Sequence, residues 1–316
     1  MRTYFTALLL FFSITPLYGK ETLTVYTHAA FISSSYGPGT PLKEVFENTC
    51  DCTVQYVILD TVPLMMNRLA MEGKKTKADV ILGLEDMLLD MPNIENLVQN
   101  QSQIEKLTPF ASHCLAFVYD SEKIPNPPKT LDELINSSYQ VILQDPRTSI
   151  TGLGFLVWMK KVYGEKVVEK WQKLGSHVLT FTKGWSEAYA LFKGGAAPIV
   201  FSYTTDSLFN EIEQKKTHLK AMHFPEGHLC SYIYAGKMKT TSHGKLADQF
   251  LAFLLTPEAQ YLIATHGWIY PEGKIPDVWL KAKNYLPKPA SIPFTPQEVA
   301  ISKETWIQEW LEGMIR

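Results

Sequence analysis

The residues best suited to chemistry stand at the ends of apolar runs, where a strand would give way to a helix. Ile199-Val-Phe-Ser-Tyr203 leads straight into Thr204-Thr205-Asp206-Ser207, and Gln144-Asp145-Pro146-Arg147-Thr148-Ser149 precedes Ile150 and Gly152-Leu153-Gly154. Hydroxyls and acids at such points cap helices, and the unpaired first-turn N–H groups beside them suit a phosphate or carboxylate. A third turn, Thr182-Lys183-Gly184-Trp185-Ser186-Glu187, puts a bulky aromatic where a chain is normally polar, ahead of a helix that Ser186 is expected to cap. Trp185 either packs under its own loop or stacks on a ligand ring. Trp268, in His266-Gly267-Trp268-Ile269-Tyr270-Pro271, poses the same alternative. In open α/β sheets, ligands bind outside the carboxyl ends of the strands, which is where these three turns would lie.

Signatures of catalysis are missing. The chain has no G-x-S-x-G, no H-E-x-x-H, no G-x-x-x-x-G-K-[ST] and no G-x-G-x-x-G after a strand. Gly152-x-Gly154 is a fragment of a dinucleotide pattern and no more. Glu85-Asp86 and the eight histidines lack ligand spacing and read as solvated faces, so neither a metal nor a cofactor is implied. The four cysteines are a C-x-C at Cys50 and Cys52 and two isolated residues, Cys114 and Cys230. Zinc would want paired ligands. Small buried residues or one or two disulfides fit better, and of the three possible pairings the sequence selects none.

These turns need a framework to hold them. With 316 residues, 46% apolar and 20% charged, the chain is long enough for one large or two medium domains with a sizeable core. Its formal net charge of -2, without blocks of like charge, argues against a nucleic-acid partner. Arg2 followed by the apolar stretch Tyr4 to Ile14 and then Pro16 to Gly19 reads as a secretory signal peptide over residues 1–19. The stretch is too short for a spanning helix, and no cysteine follows it for a lipid anchor. The mature chain is therefore expected to be exported.

Beyond residue 20, β-branched runs alternate with helical patterns. Strands are predicted at Leu23 to Thr27, Thr53 to Leu59, Val80 to Leu82, Leu115 to Tyr119, Val141 to Gln144, Val178 to Phe181, Ile199 to Tyr203 and Cys230 to Tyr234. Helices are predicted at Leu64 to Met71, Gly154 to Tyr163, Ser186 to Phe192 and Ser207 to Lys215. The alternation implies α/β layers with mostly parallel sheets. Leu246, Phe250, Phe253 and Leu254 fall on one helix face, and Thr256-Pro257-Glu258 and Thr295-Pro296-Gln297-Glu298 each carry a capping hydroxyl followed by proline at the first helical position. Trp306 and Trp310, four apart, read as packing residues.

Taken together these stretches resemble the periplasmic thiamine-binding proteins of ABC importers. The resemblance runs over nearly the whole mature chain, through Leu23-Thr-Val-Tyr-Thr27, Gly37-Pro-Gly39, the C-x-C, Asn67 to Gly73, Lys77 to Val80, Phe117 to Asp120, Gln144 to Ser149, Gly152 to Gly154, Thr182 to Tyr189, Ser202 to Thr205 and the Gly267-Trp268 turn. It implies an α/β fold of type II, two lobes of central mixed sheets flanked by helices, joined by crossing strands near 109–118 and 222–232, with a cleft between them. The first lobe would comprise residues 20–112 and 229–316, the second 113–228. The implied function is a receptor, not an enzyme, and a monomer. It would capture thiamine or a thiamine phosphate or precursor and deliver it to the permease and ATPase subunits of an importer.

Carried over residue by residue, the resemblance implies ligand contacts from Ser149 and Ile150, Trp185, Tyr203 with Thr204, Thr205, Asp206 and Ser207, and Trp268. Aromatic faces would stack on thiamine's rings and attract its thiazolium cation, for about 0.5–2 kcal/mol each, while the helix starts at Ser149 and Thr205 would hold a phosphate tail. The first-lobe side departs from the family. A carboxylate position falls on Thr61, with Asp60 beside it; His28 and Ala29 stand where an acid and an aromatic occur; a tryptophan becomes Tyr36; and an acidic, aromatic-rich crossing reads Ala111-Ser112-His113-Cys114. The preferred form of thiamine is left open by these changes. Two other functions would use the same architecture. A thiaminase-like enzyme would need Cys114 as nucleophile, with Glu226 as the nearest base, and a ferric-ion receptor would need paired tyrosines, whereas Tyr203 has no tyrosine neighbour in sequence.

Overall fold

The computed structural model describes residues 20–32, 36–90 and 104–314; the expected signal peptide lies outside them. Three parallel strands open the fold, with β1 (Glu21–His28) flanked by β2 (Cys52–Leu59) and β3 (Val80–Glu85). The helices Gly39–Thr49 and Val62–Glu72 carry the chain between them. Val80-Ile-Leu-Gly-Leu-Glu85 is buried at every position, the pattern of a strand covered on both faces.

β4 (Ile104–Asp120) is a single strand of 17 residues and belongs to both sheets. Its first part, from Ile104 to Cys114, pairs antiparallel with β9 (Cys230–Met238), which itself runs antiparallel to β3. From Leu115 onward it pairs with β7 (Ile199–Tyr203), and the parallel strands β5 (Val141–Gln144) and β6 (Val178–Thr182) follow. The resulting order is β2-β1-β3-β9-β4-β7-β5-β6, with the short β8 (Leu219–Ala221) pairing antiparallel with the end of β4. The expectation of mostly parallel sheets holds at the two ends of that order. At the centre the sheets are mixed, because the strands that pass between them run against their neighbours.

After the short β10 (Tyr270–Pro271), which pairs with β4, the chain returns to the second sheet. Asn284 accepts from Ser207 through its carbonyl, and its own N–H donates to Glu211. The final helix, Pro296–Met314, packs on the helices Ile150–Tyr163 and Val167–Gly175. Lys160 and Lys161 pair there with Glu309 and Glu298, and Trp310 meets Phe181 edge-on at 5.2 Å. Residues beyond 277, expected with the first lobe, thus pack in part on the second sheet. The same C-terminal segment also reaches the first sheet, where the final helix meets the turn Asp86–Leu88 after β3 and Lys288 donates to Ser112 Oγ at 2.6 Å. Trp306 and Trp310 are both buried, as packing residues should be. Thr295 closes a capping box, accepting from Glu298 N–H at 3.1 Å while its own N–H donates to the Glu298 carboxylate at 3.0 Å.

The glycine pair at 152 and 154 serves packing. A Cβ on Gly152 would sit 2.7 Å from the carbonyls of Gln144 and Asp145, and one on Gly154 would strike Leu115. The buried helix Ile150–Tyr163 can therefore press its first turns against the end of β5 and the crossing strand.

Cys114 and Cys230 are register partners in the β4–β9 pair, with Cα atoms 4.0 Å apart, and they form a disulfide. Cys50 and Cys52 form the second, so all four cysteines are paired. Cys114 accordingly has no thiolate with which to attack a substrate, and Glu226, its supposed base, instead accepts the Leu131 N–H. The Cys114–Cys230 bond closes a loop of 116 residues at the point where both strands cross. Replacing both cysteines by serine should lower the unfolding free energy by about 2–5 kcal/mol, read from denaturant curves; an unchanged midpoint would show that strand pairing alone sets the crossing.

Candidate functional site

A cleft of ≈ 700 Å³ opens at the carboxyl ends of the strands of both sheets. One wall comes from the first sheet and its loops: His28 at the end of β1, Tyr36, Asp60 and Thr61 after β2, Glu85 at the end of β3, and His113 on β4. The other comes from the second: Ser149 and Ile150 after β5, Lys183 and Trp185 after β6, and Tyr203, Asp206 and Phe209 after β7. Trp268 borders it from the end of the helix Pro257–Gly267.

Trp185 is oriented by a relay. Its indole N–H donates to Ser202 Oγ at 2.6 Å, and the Ser202 hydroxyl donates in turn to the Asp206 carboxylate. One face of the indole stacks on Tyr189, with centroids 5.0 Å apart and planes at 21°. Tyr189 is itself fixed by a hydrogen bond from Asn210 at 2.8 Å. From the opposite wall Tyr36 stands at 83° to the indole, 5.2 Å away, and also meets Phe209. Trp185 is thus partly packing residue and partly lining. Trp268 leans the same way more strongly: it is 6% exposed, lies parallel to Trp279 at 11°, and meets Phe209 at 5.7 Å.

The helix expected to begin under Ser186 begins one residue earlier, at Trp185, with Gly184 as its cap. No side chain caps it from that position. Glu187 reaches back to the Lys183 N–H at 3.2 Å instead, and Thr182 donates to the Gly184 carbonyl.

The segment after β7 divides. Tyr203 and Asp206 line the cleft, whereas Thr204, Thr205 and Ser207 lie beneath it, each no more than 2% exposed. Thr204 pairs with the Tyr270 hydroxyl at 2.9 Å, and Ser207 donates to the carbonyls of Thr204 and Asn284. The helix start at Thr205 has no side-chain cap bond, and the Asp206 carboxylate takes the Tyr203 N–H at 3.3 Å. At the other start, Ser149 accepts from Gly152 N–H at 3.4 Å and shares a hydroxyl contact of 2.7 Å with Thr151. Thr61 likewise caps the helix Val62–Glu72, accepting from Leu64, and Asp60 is exposed at the rim.

Burial sets the protonation of the walls. It pushes the Asp206 carboxyl up to about 7, against the opposing hydrogen bonds from Ser202 and Tyr203. It raises the Tyr203 phenol well above its ordinary value, with Glu85 and Asp206 adding to the effect, so the phenol stays neutral. His28 is pushed down by burial despite the pull of Glu85. Its ring lies over Gly83, where a Cβ would be 2.7 Å away and where φ is +100°. Glu85 accepts from His113 Nε2 at 3.0 Å, and the His113 ring stands edge-on to Tyr203 at 5.0 Å.

Glu85 and Asp86 are therefore not a solvated face. Glu85 is 7% exposed, and Asp86 is tied to the Ser231 hydroxyl and the Tyr232 N–H. The sequence carried one usable signal for Glu85, an acid closing the apolar run Val80 to Leu84 at a strand's carboxyl end.

Residues 38–269 match the family model described as bacterial extracellular solute-binding protein. The chain belongs to that family. It is 42% identical to the thiamine-binding periplasmic protein of Salmonella typhimurium, over 98% of each chain. Among solved structures, a periplasmic thiamin binding protein matches with a TM-score of 0.83 and 39% identity, covering 94% of this chain and 97% of that one. The ferric binding protein from Campylobacter jejuni matches with a TM-score of 0.71 at 14% identity over 93% and 100% of the two chains, a likeness of fold alone. The α/β two-sheet architecture is that of a periplasmic binding protein, and the matching family is one of solute receptors.

Asp206 has a consequence for stability that can be measured. Its folded value of about 7 lies above its ordinary 3.8, so between those values the native state holds a proton that the unfolded chain has released. Stability should fall as pH rises from about 4 to about 7 and level off above. Denaturant curves across that range, compared with Asp206→Asn, isolate the contribution: the variant should lose this downward slope, and identical slopes would refute the shift.

Proposed function

We propose that this chain is a periplasmic receptor that binds thiamine or a thiamine phosphate in the cleft and delivers it to the permease and ATPase of an ABC importer. Whole-length likeness to thiamine-binding periplasmic proteins supports the ligand class. The observation that carries the reading is the composition of the cleft, where Trp185, Tyr36 and Tyr203 bring aromatic surface together with the Glu85 carboxylate and the Asp206 carboxyl group. Thiamine joins a flat aminopyrimidine to a permanently cationic thiazolium. Aromatic faces bind such rings by dispersion and by attraction of the cation to the π-system. Acids kept in an apolar setting add charge complementarity that water does not screen away.

The phosphate of a phosphorylated form is assigned to the other end of the cleft. The first turn of the helix Ile150–Tyr163, whose Gly152 N–H is taken by Ser149, and Lys183 border the cleft there. Two lobes would close over the ligand, the first built around β1, β2, β3 and β9 and the second around β5, β6 and β7, with β4 common to both. Aromatic contact between Tyr36 and Trp185 makes closure favourable on that line.

Calorimetric titration with thiamine, its monophosphate and its diphosphate tests the assignment. Saturable one-to-one binding is expected for at least one of them, and absence of binding to all three would reject it. Trp185→Ala should weaken the bound form by about tenfold or more, the value of one lost stacked ring; unchanged affinity would return Trp185 to a packing role alone.

A further inference from the structure

We propose that Glu85 is the charge-bearing ligand contact of this cleft, a specificity residue that selects a heteroaromatic cation over its neutral counterparts. The inference rests on the thiamine reading above and deepens it. Glu85 closes β3 at the cleft, 7% exposed, held by one hydrogen bond to His113 Nε2. Among the described residues its side chain makes no other hydrogen bond, and no lysine or arginine pairs with it. Its second carboxylate oxygen is not among the buried polar atoms lacking partners, so it retains access to the space it lines.

The other acids of the cleft are differently committed. Asp206 accepts from Ser202 and from the Tyr203 N–H, Glu187 accepts from the Lys183 N–H, and Asp60 is exposed at the rim. Glu85 therefore combines burial with an uncommitted oxygen. A carboxylate so placed wants a cation. His113, which bonds Glu85, stands edge-on to Tyr203 at 5.0 Å, so the acid of the first sheet lies beside the aromatic wall of the second. A ring cation such as thiazolium, which carries charge without an N–H on the charged nitrogen, is recognised by this kind of field and not by a fork of donors. A neutral aminopyrimidine can offer that oxygen a hydrogen bond but not the attraction of a full charge.

Calorimetry of the wild-type protein and Glu85→Gln, each titrated with thiamine and with neutral 4-amino-5-hydroxymethyl-2-methylpyrimidine, separates charge recognition from packing. Glu85→Gln should weaken thiamine by about tenfold or more and leave the affinity for the pyrimidine within about twofold. Equal losses for the two ligands, or no loss for thiamine, would overturn the assignment of Glu85 while leaving the thiamine reading intact. Failure of the wild-type protein to bind thiamine would overturn both. Circular dichroism melts establish that the variant is folded. Should it not fold, Glu85→Asp, which keeps the charge but withdraws it by one methylene, reads the same ratio: a loss confined to thiamine supports the assignment and a shared loss overturns it.

Discussion

The antiparallel pairing of β4 with β9 is the constraint on which the site depends. It runs from Ile104 opposite Met238 to Cys114 opposite Cys230, and a disulfide joins the side chains of that last register pair. One residue later β4 has changed partners and is paired with β7. The change brings the carboxyl ends of β3 and β7 to one place without any tether between sheets. His113, on the first side of the crossing, touches both Glu85 and Tyr203. Thr204 N–H donates to the Cys114 carbonyl at 2.9 Å, tying the end of β7 to the crossing itself. A slip of one residue in this ladder would turn every one of these side chains to the opposite face.

What the crossing assembles is an apolar place containing acids. Burying a carboxylate is costly unless it is hydrogen-bonded or paired. Asp206 is stabilised by a hydroxyl and a backbone N–H, and even so its proton is held up to about neutral pH. The phenols of Tyr203 and Tyr189 stay protonated and His28 is pushed toward its neutral form, so these groups do nothing to offset the acids. Lys183 borders the cleft from the loop after β6. A buried carboxylate whose only side-chain partner is a histidine, as at Glu85, is costly for stability, and on the proposed reading an organic cation would offset that cost on entry.

Much of this was legible from residue type and spacing, and the limits have physical reasons. Strands such as Val141–Gln144 and Ile199–Tyr203 are bounded by turn residues that punctuate the chain, so their ends fall where the sequence puts them. β4 was visible only as its apolar second part, because Lys106, Thr108, Pro109, Ser112 and His113 do not read as a buried strand. They are tolerated there because β9 supplies the backbone partners on one side. Within the site, the hydroxyl-rich run after Tyr203 looked uniform, yet the turn into the helix puts residues three apart on one side, sending Thr204 and Ser207 inward and Asp206 to the cleft. Glu85 was misread because an acid beside another acid usually marks a wet surface. Nothing local reveals that His113, 28 residues away, will sit on it. The pairing of Cys114 with Cys230 is likewise a property of strand register, which no cysteine count contains.

The contact between Tyr36 and Trp185 bears on how such a cleft could discriminate. One face of the indole is occupied by Tyr189, and the Tyr36 ring stands nearly perpendicular on the way to the other wall. A flat ligand inserting here exchanges one aromatic contact for another. Such pairs differ by only about 0.5–1.5 kcal/mol beyond the area they bury, so ring exchange alone separates aromatic ligands weakly. Rigid orientation helps, since the Ser202 relay fixes the indole and little side-chain entropy is lost on binding. In the proposed receptor, discrimination between rings of similar shape then falls to what a neutral aromatic cannot supply, a positive charge placed against the buried Glu85 carboxylate. On the proposed reading the aromatic residues make the cleft receptive to flat molecules in general, and the acid at the end of β3 decides which of them stay.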